Sequence, residues 1–550
     1  MNGLGFSRRQ WRQWIQFIGV ACACIALIVG CGTSSQSPTA DGASPAEDAG
    51  GGRITMGTTQ KVETLDPADA YTIFTGILLY NMGDRLYTYA PGTTELVPQL
   101  ATEMPTVSED GLTYTIPLRD DVTLHDGTAF NAEVMKFSID RFIQNGGDPA
   151  FLLGDLIEST EATGEYELTL TLKYPFAAFP AVLSFWGVTP VPPSSYEIAE
   201  GSFQPTTFVG SGPYKLASLG SDFIKLDVNE DYWGEKPAND GIDIQIFASP
   251  ANLYNTFITG GLDIAYQTLD PDQIASLERD ASTGGWQVIE AGTNVVNYMT
   301  LNQKVEPTND LTVRKAIAAM IDRNLINERV FQGQATPLYS LLPTSFDISK
   351  PVFEEAYGDG NFDLARQLLT EAGYSESNPL NFEIWYPSAS TTRSIVANTL
   401  KESIEAGLPG LVTVEVQSAE RATLSEGVDN GLYQTVLLNW YPDFYDPDNF
   451  MQPFVSCDEG SAETLCTKGA SQGNGSFYYS EKANQLIKDQ RAEQDLQTRD
   501  EMFVELQEML VEDVPYIPLW QNKDYVFAQE GVENVAIEPT QQFLLWQLSK

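Results

Sequence analysis

Two side-chain periodicities alternate along this chain, and that alternation limits it to folds in which helices pack on sheets. Tyr166, Leu168, Leu170, Leu172 and Tyr174 fall on one face at a spacing of two, as do Tyr114, Ile116 and Leu118, the pattern of half-buried strands. Val313, Ala316, Ile317, Met320 and Ile321 instead follow a helical stripe, repeated by Met502, Phe503, Leu506, Met509 and Leu510. Asn131 is placed to cap a helix carrying Val134 and Phe137, with Phe130 and Met135 as a hydrophobic staple. Asp363 reads as the cap before Leu364, Leu368 and Leu369, with Gly373 ending that helix. The 550 residues, 42% hydrophobic, supply more than one core. The class is α/β or α+β in at least two lobes.

Charge and residue usage remove several functions. Lys plus Arg number 31 against 75 Asp plus Glu, a net −44, and a field of that sign repels phosphate backbones, so nucleic acid is not a partner to expect. The acidity reads as a solvated surface rather than as specificity for basic peptides, because whole-chain charge does not locate a pocket. One His and five Cys leave little for a metal centre, and no metal or cofactor is expected.

The N-terminus sets the compartment. Arg8, Arg9 and Arg12 precede an uncharged run from Phe17 to Gly30, short for a membrane span and suited to a signal peptide over residues 1–30. Ile28-Val29-Gly30-Cys31 resembles a bacterial lipobox, in which the cysteine is acylated and becomes the mature N-terminus. An uncleaved anchor is the alternative, and Ser7-Arg8-Arg9-Gln10-Trp11 leaves Sec and twin-arginine export both open. Residues 31–52, rich in Gly, Ser, Ala and Pro, read as a flexible tether of ~25 Å reach. Cys22 and Cys24 leave with the signal, so Cys457 and Cys466 remain as a pair in an exported protein. They are expected to form a local disulfide contributing about 2.7 kcal/mol, the alternative being two reduced thiols.

Catalytic motifs fail. Around Ser211, Val209 and Pro213 stand where a nucleophile elbow needs glycine. Lys236, between Glu235 and Pro237, is not in a Walker loop. Asp359, Asn361 and Asp363 begin like an EF-hand, but Leu364 and Thr370 occupy the positions of its Gly and Glu. His125, in Leu124-His125-Asp126-Gly127, reads as a structural hydrogen-bonding group.

A series of blocks, in order, carries a resemblance. Leu65-Asp66-Pro67 is followed by Leu86-Tyr87-Thr88-Tyr89, Val97-Pro98-Gln99-Leu100-Ala101, Asp110-Gly111-Leu112-Thr113-Tyr114, His125-Asp126-Gly127 and Asp140-Arg141. Then come Gly212-Pro213-Tyr214-Lys215-Leu216, Asp231-Tyr232-Trp233, Val313-Arg314-Lys315-Ala316, Ile321-Asp322-Arg323 and Asp513-Val514-Pro515-Tyr516-Ile517-Pro518-Leu519-Trp520. Over about residues 54–520 the chain resembles bacterial extracellular solute-binding protein family 5, the peptide- and nickel-binding group that feeds ABC importers. The resemblance implies a two-lobed periplasmic-binding-protein fold of the large type II class. Lobe 1 would comprise 53–298, with an extra subdomain at about 90–205, and would take back 521–550; lobe 2 would be 299–520. A two-segment hinge is expected near Asn297–Asn302 and Trp520–Asn522.

The resemblance also implies a site. In peptide-binding members a Trp followed three residues later by Asp occupies the place of Trp440 and Asp443, and the Asp pairs with the ligand's α-ammonium group. A desolvated ammonium needs an anionic partner, and a carboxylate supplies a charge-assisted hydrogen bond. Asp443 is therefore the expected ammonium anchor, a turn-capping Asp being the alternative. Trp440 and Tyr441 are pocket walls or core. The family's carboxylate-binding arginines are replaced by Tyr386 and Leu437; Arg393 is the nearest substitute. That departure favours peptides longer than two residues, or a different ligand such as an oligosaccharide or a metal chelate. An exported hydrolase using Asp443 and Asp446 is the distant alternative. The expected protein is not an enzyme but a monomeric, lipid-anchored extracytoplasmic receptor. It hands a peptide ligand to the permease and ATPase of an ABC importer and touches the membrane through its N-terminal lipid.

Overall fold

The computed structural model describes residues 52–550. The signal segment 1–30, Cys31 and all but the last residue of the tether lie outside them. One long mixed sheet runs through the body in the order Val412–Ala419, Leu380–Pro387, Thr435–Trp440, Trp286–Leu301, Tyr516–Gln529, Ile264–Tyr266, Ile54–Thr58, Ile242–Ile246, Phe223–Val228, Tyr214–Leu219. Its centre is the antiparallel pair Trp286–Leu301 and Tyr516–Gln529, in register from Trp286 opposite Gln529 to Thr300 opposite Tyr516. The pairing shifts between Gly292 and Val296 and again between Asn297 and Tyr298. A register shift bends the strands and raises their twist, so the two ends of this pair belong to different lobes.

Around one end, Ile54, Leu78, Tyr214, Ile244 and Val526 form a core with the helix Ile73–Met82. Around the other, Met299, Val313, Ile317, Leu369, Ile384, Val396 and Ile517 form a second, and Phe450, Phe454, Phe503, Leu506 and Tyr516 a third. A separate antiparallel sheet, Thr106–Val107, Thr113–Pro117, Glu167–Leu172 and Ile157–Gly164, packs on the helix Ala132–Gln144 over a core of its own. The fold is α/β in two lobes.

The sequence patterns map onto these elements with small shifts. Leu168, Leu170 and Leu172 are buried on one strand face, while Tyr174 lies beyond the strand and is exposed. Asn131 Oδ1 accepts the Val134 N–H at 3.0 Å, a working cap. The helix Phe362–Glu371 is capped not by Asp363 but by Asn361, whose Oδ1 accepts the Leu364 N–H at 3.2 Å. Asp363 falls in the first turn, where its charge favours the helix dipole. Gly373 follows with φ +89°, a left-handed end that suits glycine. Cys457 and Cys466 are joined as a disulfide with Cα atoms 5.7 Å apart.

Several blocks that carry the resemblance prove to be buried polar staples. Arg141 forms a two-pronged ion pair with Asp66, both bonds 2.7 Å, with both side chains almost wholly buried. Arg323 bonds Asp359 at 2.9 Å, and Arg314 donates to the Asp513 carbonyl at 2.9–3.0 Å. Buried charges persist only when paired and hydrogen-bonded, and the contacts of Arg141 with Asp66 and of Arg314 with Asp513 each join two of these blocks. His125 is another staple. Its Nδ1 accepts the Gly210 N–H at 3.3 Å, which leaves Nε2–H to donate to the Gly212 carbonyl at 3.0 Å. Burial lowers its pKa to about 4. Because the folded pKa lies below the unfolded value, this contribution is complete above about pH 6.5 and is lost as pH falls toward 4. Urea denaturation of wild type and His125→Gln between pH 7 and 4 should show wild type losing roughly 2 kcal/mol more than the variant over that window.

Candidate functional site

Between the lobes lies a cavity of about 520 Å³, within the range of small-ligand sites. One wall comes from Tyr71, Ile73, Gly76 and Ile77, at the start of the helix Ile73–Met82, together with Phe185 and Trp186. The Phe185 and Trp186 rings lie 4.2 Å apart, and the indole N–H donates to the Ala70 carbonyl at 3.0 Å. A Cβ on Gly76 would come within 2.6 Å of the Trp186 ring, so only glycine lets that indole lie against the helix. The facing wall is Tyr441 to Tyr445, with Arg421 beside it, and Asn294, Val295 and Thr540 to Gln542 close the side toward the crossing strands. The hydroxyl of Thr540 is buried without a partner.

The segment 440–449 is held rigidly. Asp446 takes a two-pronged bond from Arg499 at 2.6 and 2.7 Å, and Asp448 takes one from Arg491 at 2.8 and 2.9 Å. Asn449 Oδ1 accepts the Asp443 N–H at 3.0 Å and the Trp440 indole N–H at 3.2 Å. Tyr445 stacks on Phe346 with ring centres 4.3 Å apart and donates to the Ser345 carbonyl at 2.9 Å. Three acids therefore stand within six residues, two of them neutralised by arginine. The third, Asp443, lines the cavity and has no cationic group within 4 Å among the described residues. The hydroxyl of Tyr71, from the opposite lobe, donates to it. Burial raises the Asp443 pKa above the ordinary carboxylate range, and the bonds from Tyr71 and Asn449 only partly offset that. The same burial, with the nearby Asp443 charge, pushes the Tyr71 hydroxyl far up, so it stays a proton donor.

The other residues singled out in the sequence divide. Tyr441 is on the cavity wall and 54% exposed. Trp440 is not among the lining residues; its ring turns away and packs edge-on to Phe454, 6.0 Å between centres, so it braces the segment from behind. That orientation follows from strand alternation, since neighbours on Thr435–Trp440 face opposite sides. Arg393 sits one layer behind the wall, donating through Nη2 to Asn439 Oδ1. Asp446, paired with Arg499, is not available as a catalytic acid. Tyr71, Phe185, Trp186 and Arg421 had no local signal in the sequence, because long-range packing brings each to the cavity.

The comparisons with known proteins agree with this fold. Residues 95–462 match the family model of bacterial extracellular solute-binding proteins, family 5. The chain is 26% identical over 504 residues to the probable D,D-dipeptide-binding periplasmic protein of Escherichia coli, covering 88% of this chain and 92% of that one. It is 27% identical over 467 residues to di/tripeptide-binding protein 2 of Pseudomonas aeruginosa, covering 80% and 83%. The structure of HbpA2 from Haemophilus parasuis superposes with a TM-score of 0.78 at 20% identity, covering 90% of this chain and 99% of that one.

The roles of the three acids are separable. Asp446→Ala should lower stability by about 3–5 kcal/mol, the cost of stranding buried Arg499. Asp443→Asn, which removes a desolvated charge, should leave the thermal midpoint of the ligand-free protein unchanged or higher in calorimetry.

The matched region, the two-lobed fold and the cleft lined from both lobes place the chain in the bacterial extracellular solute-binding protein family 5, as an extracytoplasmic binding protein of transport and not an enzyme.

Proposed function

We propose that this protein captures peptides, of more than two residues rather than strict dipeptides, and delivers them to the permease and ATPase of an ABC importer while tethered to a membrane by a lipid on Cys31. The observation that carries the peptide reading is Asp443. It is a carboxylate in a cavity, desolvated and without a cation, on a segment whose other two acids both have arginine partners. A ligand ammonium would supply the missing charge and the charge-assisted bond. The names of the two relatives above support the same class. The lobes would close by bending at the register shifts in the central strand pair, since two adjacent crossings confine motion to a hinge. In this scheme residues 31–52 are the tether, 53–298 with 521–550 lobe 1, the part at about 90–205 its extra subdomain, and 299–520 lobe 2. The Cys457–Cys466 bridge closes a hairpin on lobe 2, and the receptor acts as a monomer.

Thermal unfolding of the purified protein with tri- to hexapeptide pools tests this. A ligand at a hundredfold excess over Kd adds about 2.7 kcal/mol, so binding should raise the midpoint visibly. The gain should vanish with N-acetylated pools and in Asp443→Asn. Failure of every free pool to bind would overturn the peptide reading and turn attention to oligosaccharides and metal chelates. Separately, Cys31→Ser should move the protein from the membrane fraction to the soluble fraction of the producing cells.

A further inference from the structure

Besides the free acid Asp443, the cavity has cationic groups about it: Arg421 is among its lining residues, and Arg393 lies one layer behind. The strands Leu380–Pro387 and Val412–Ala419 run parallel and side by side, with Pro387 opposite Ala419. Each leads directly into a helix, Thr391–Gly407 and Arg421–Asp429, so both helices begin at one edge of the sheet. Each carries an arginine in its first turn, Arg393 and Arg421, where the helix dipole disfavours a cation. Arg421 reaches the cavity wall and has neither a hydrogen bond nor a carboxylate within 4 Å among the described residues. Its neighbour Glu420 spends its carboxylate on the Ala422 N–H at 2.9 Å. Arg393 is half-buried beside Tyr441 and Tyr298. It bonds only the neutral Asn439 side chain, and its Nε is buried with no partner. Burial lowers the Arg393 pKa below the ordinary guanidinium range, and the charge of Arg421 adds slightly to that.

Acidic groups gather beside Tyr71. Tyr71, which donates to Asp443, also borders a smaller recess lined by Glu63, Asp69 and Asp148. A ligand carrying both charges is therefore oriented, its cationic end toward Asp443 and its anionic end toward the arginines. One carboxylate beside the arginines would leave one guanidinium partly desolvated and unpaired once the lobes close on it, which is costly. Two anionic groups would satisfy both.

Resting on the peptide reading, we propose that Arg393 and Arg421 form a two-cation seat that selects peptides whose carboxyl-terminal residue is itself acidic. The α-carboxylate and the side-chain carboxylate would together answer the two positive charges. Arg421 makes the direct contact at the wall, and Arg393 reinforces it from behind Tyr441.

Calorimetric titration of the full-length protein with tripeptide pools ending in Glu, Gln or Ala tests the seat. Wild type should bind the Glu-ending pool about tenfold more tightly than the Gln-ending one. That preference should fall steeply with added salt and should largely disappear in Arg421→Gln, which should weaken binding of the Glu-ending pool more than that of the Gln-ending one. Arg421→Lys should restore part of the preference, since it keeps the charge and loses the planar fork. Arg393→Gln should reduce the preference too. Arg421 is exposed, so its variants should fold, and an unchanged thermal midpoint verifies that. Equal affinity for the three pools in wild type, or a preference that survives in both Gln variants, would overturn this inference and leave the peptide reading standing. Failure of all three pools to bind, with failure of the longer pools, would overturn both.

Discussion

The antiparallel pairing of Trp286–Leu301 with Tyr516–Gln529 is the constraint on which the rest of this structure depends. It is the one ladder shared by both lobes, and every other strand of the long sheet is added outward from it. Its backbone bonds are buried and must be kept, so the pair cannot simply part. It can bend where the register slips, between Gly292 and Val296 and between Asn297 and Tyr298. The cavity opens directly beside that stretch, with Asn294 and Val295 among its lining residues.

Around this axis, paired buried charges locate the parts, while Asp443 on the cavity wall has no cation within 4 Å among the described residues. Asp66 with Arg141, Asp359 with Arg323, Asp446 with Arg499 and Asp448 with Arg491 each join segments distant in sequence. Such pairs add little net stability, but removing one partner is costly, which makes them effective at fixing geometry. The last two hold the segment 440–449 so that Asp443 has a fixed place in the cavity. A carboxylate that is held, desolvated and left without a cation stores a demand for one.

Much of the fold could be read directly. Strand and helix stripes found their elements because burial imposes periods of 2 and 3.6 on any amphipathic segment. Errors arose where two polar residues competed, as at Asn361 and Asp363. There the backbone geometry, which composition does not report, put Asn361 outside the helix and Asp363 inside it. At the site, Asp443 and Tyr441 were legible through the spacing that follows Trp440, whereas the direction of Trp440 was not. Its strand parity depends on where the strand Thr435–Trp440 begins, and its ring faces Phe454 rather than the cavity.

By itself the sequence determined the class of fold, the excess of acidic residues and the order of the family's blocks, since each is carried by neighbouring residues. The tertiary structure decided which acid is free and which cations face it. Along the chain, nothing tells which of Asp443, Asp446 and Asp448 has an arginine partner. Only Arg491 and Arg499, arriving from helices some forty to fifty residues later, distinguish them. Arg421 and Tyr71 become neighbours of the same cavity from positions 350 residues apart. Charge acts through space over a few ångströms, so which groups are paired is a property of packing, not of sequence order.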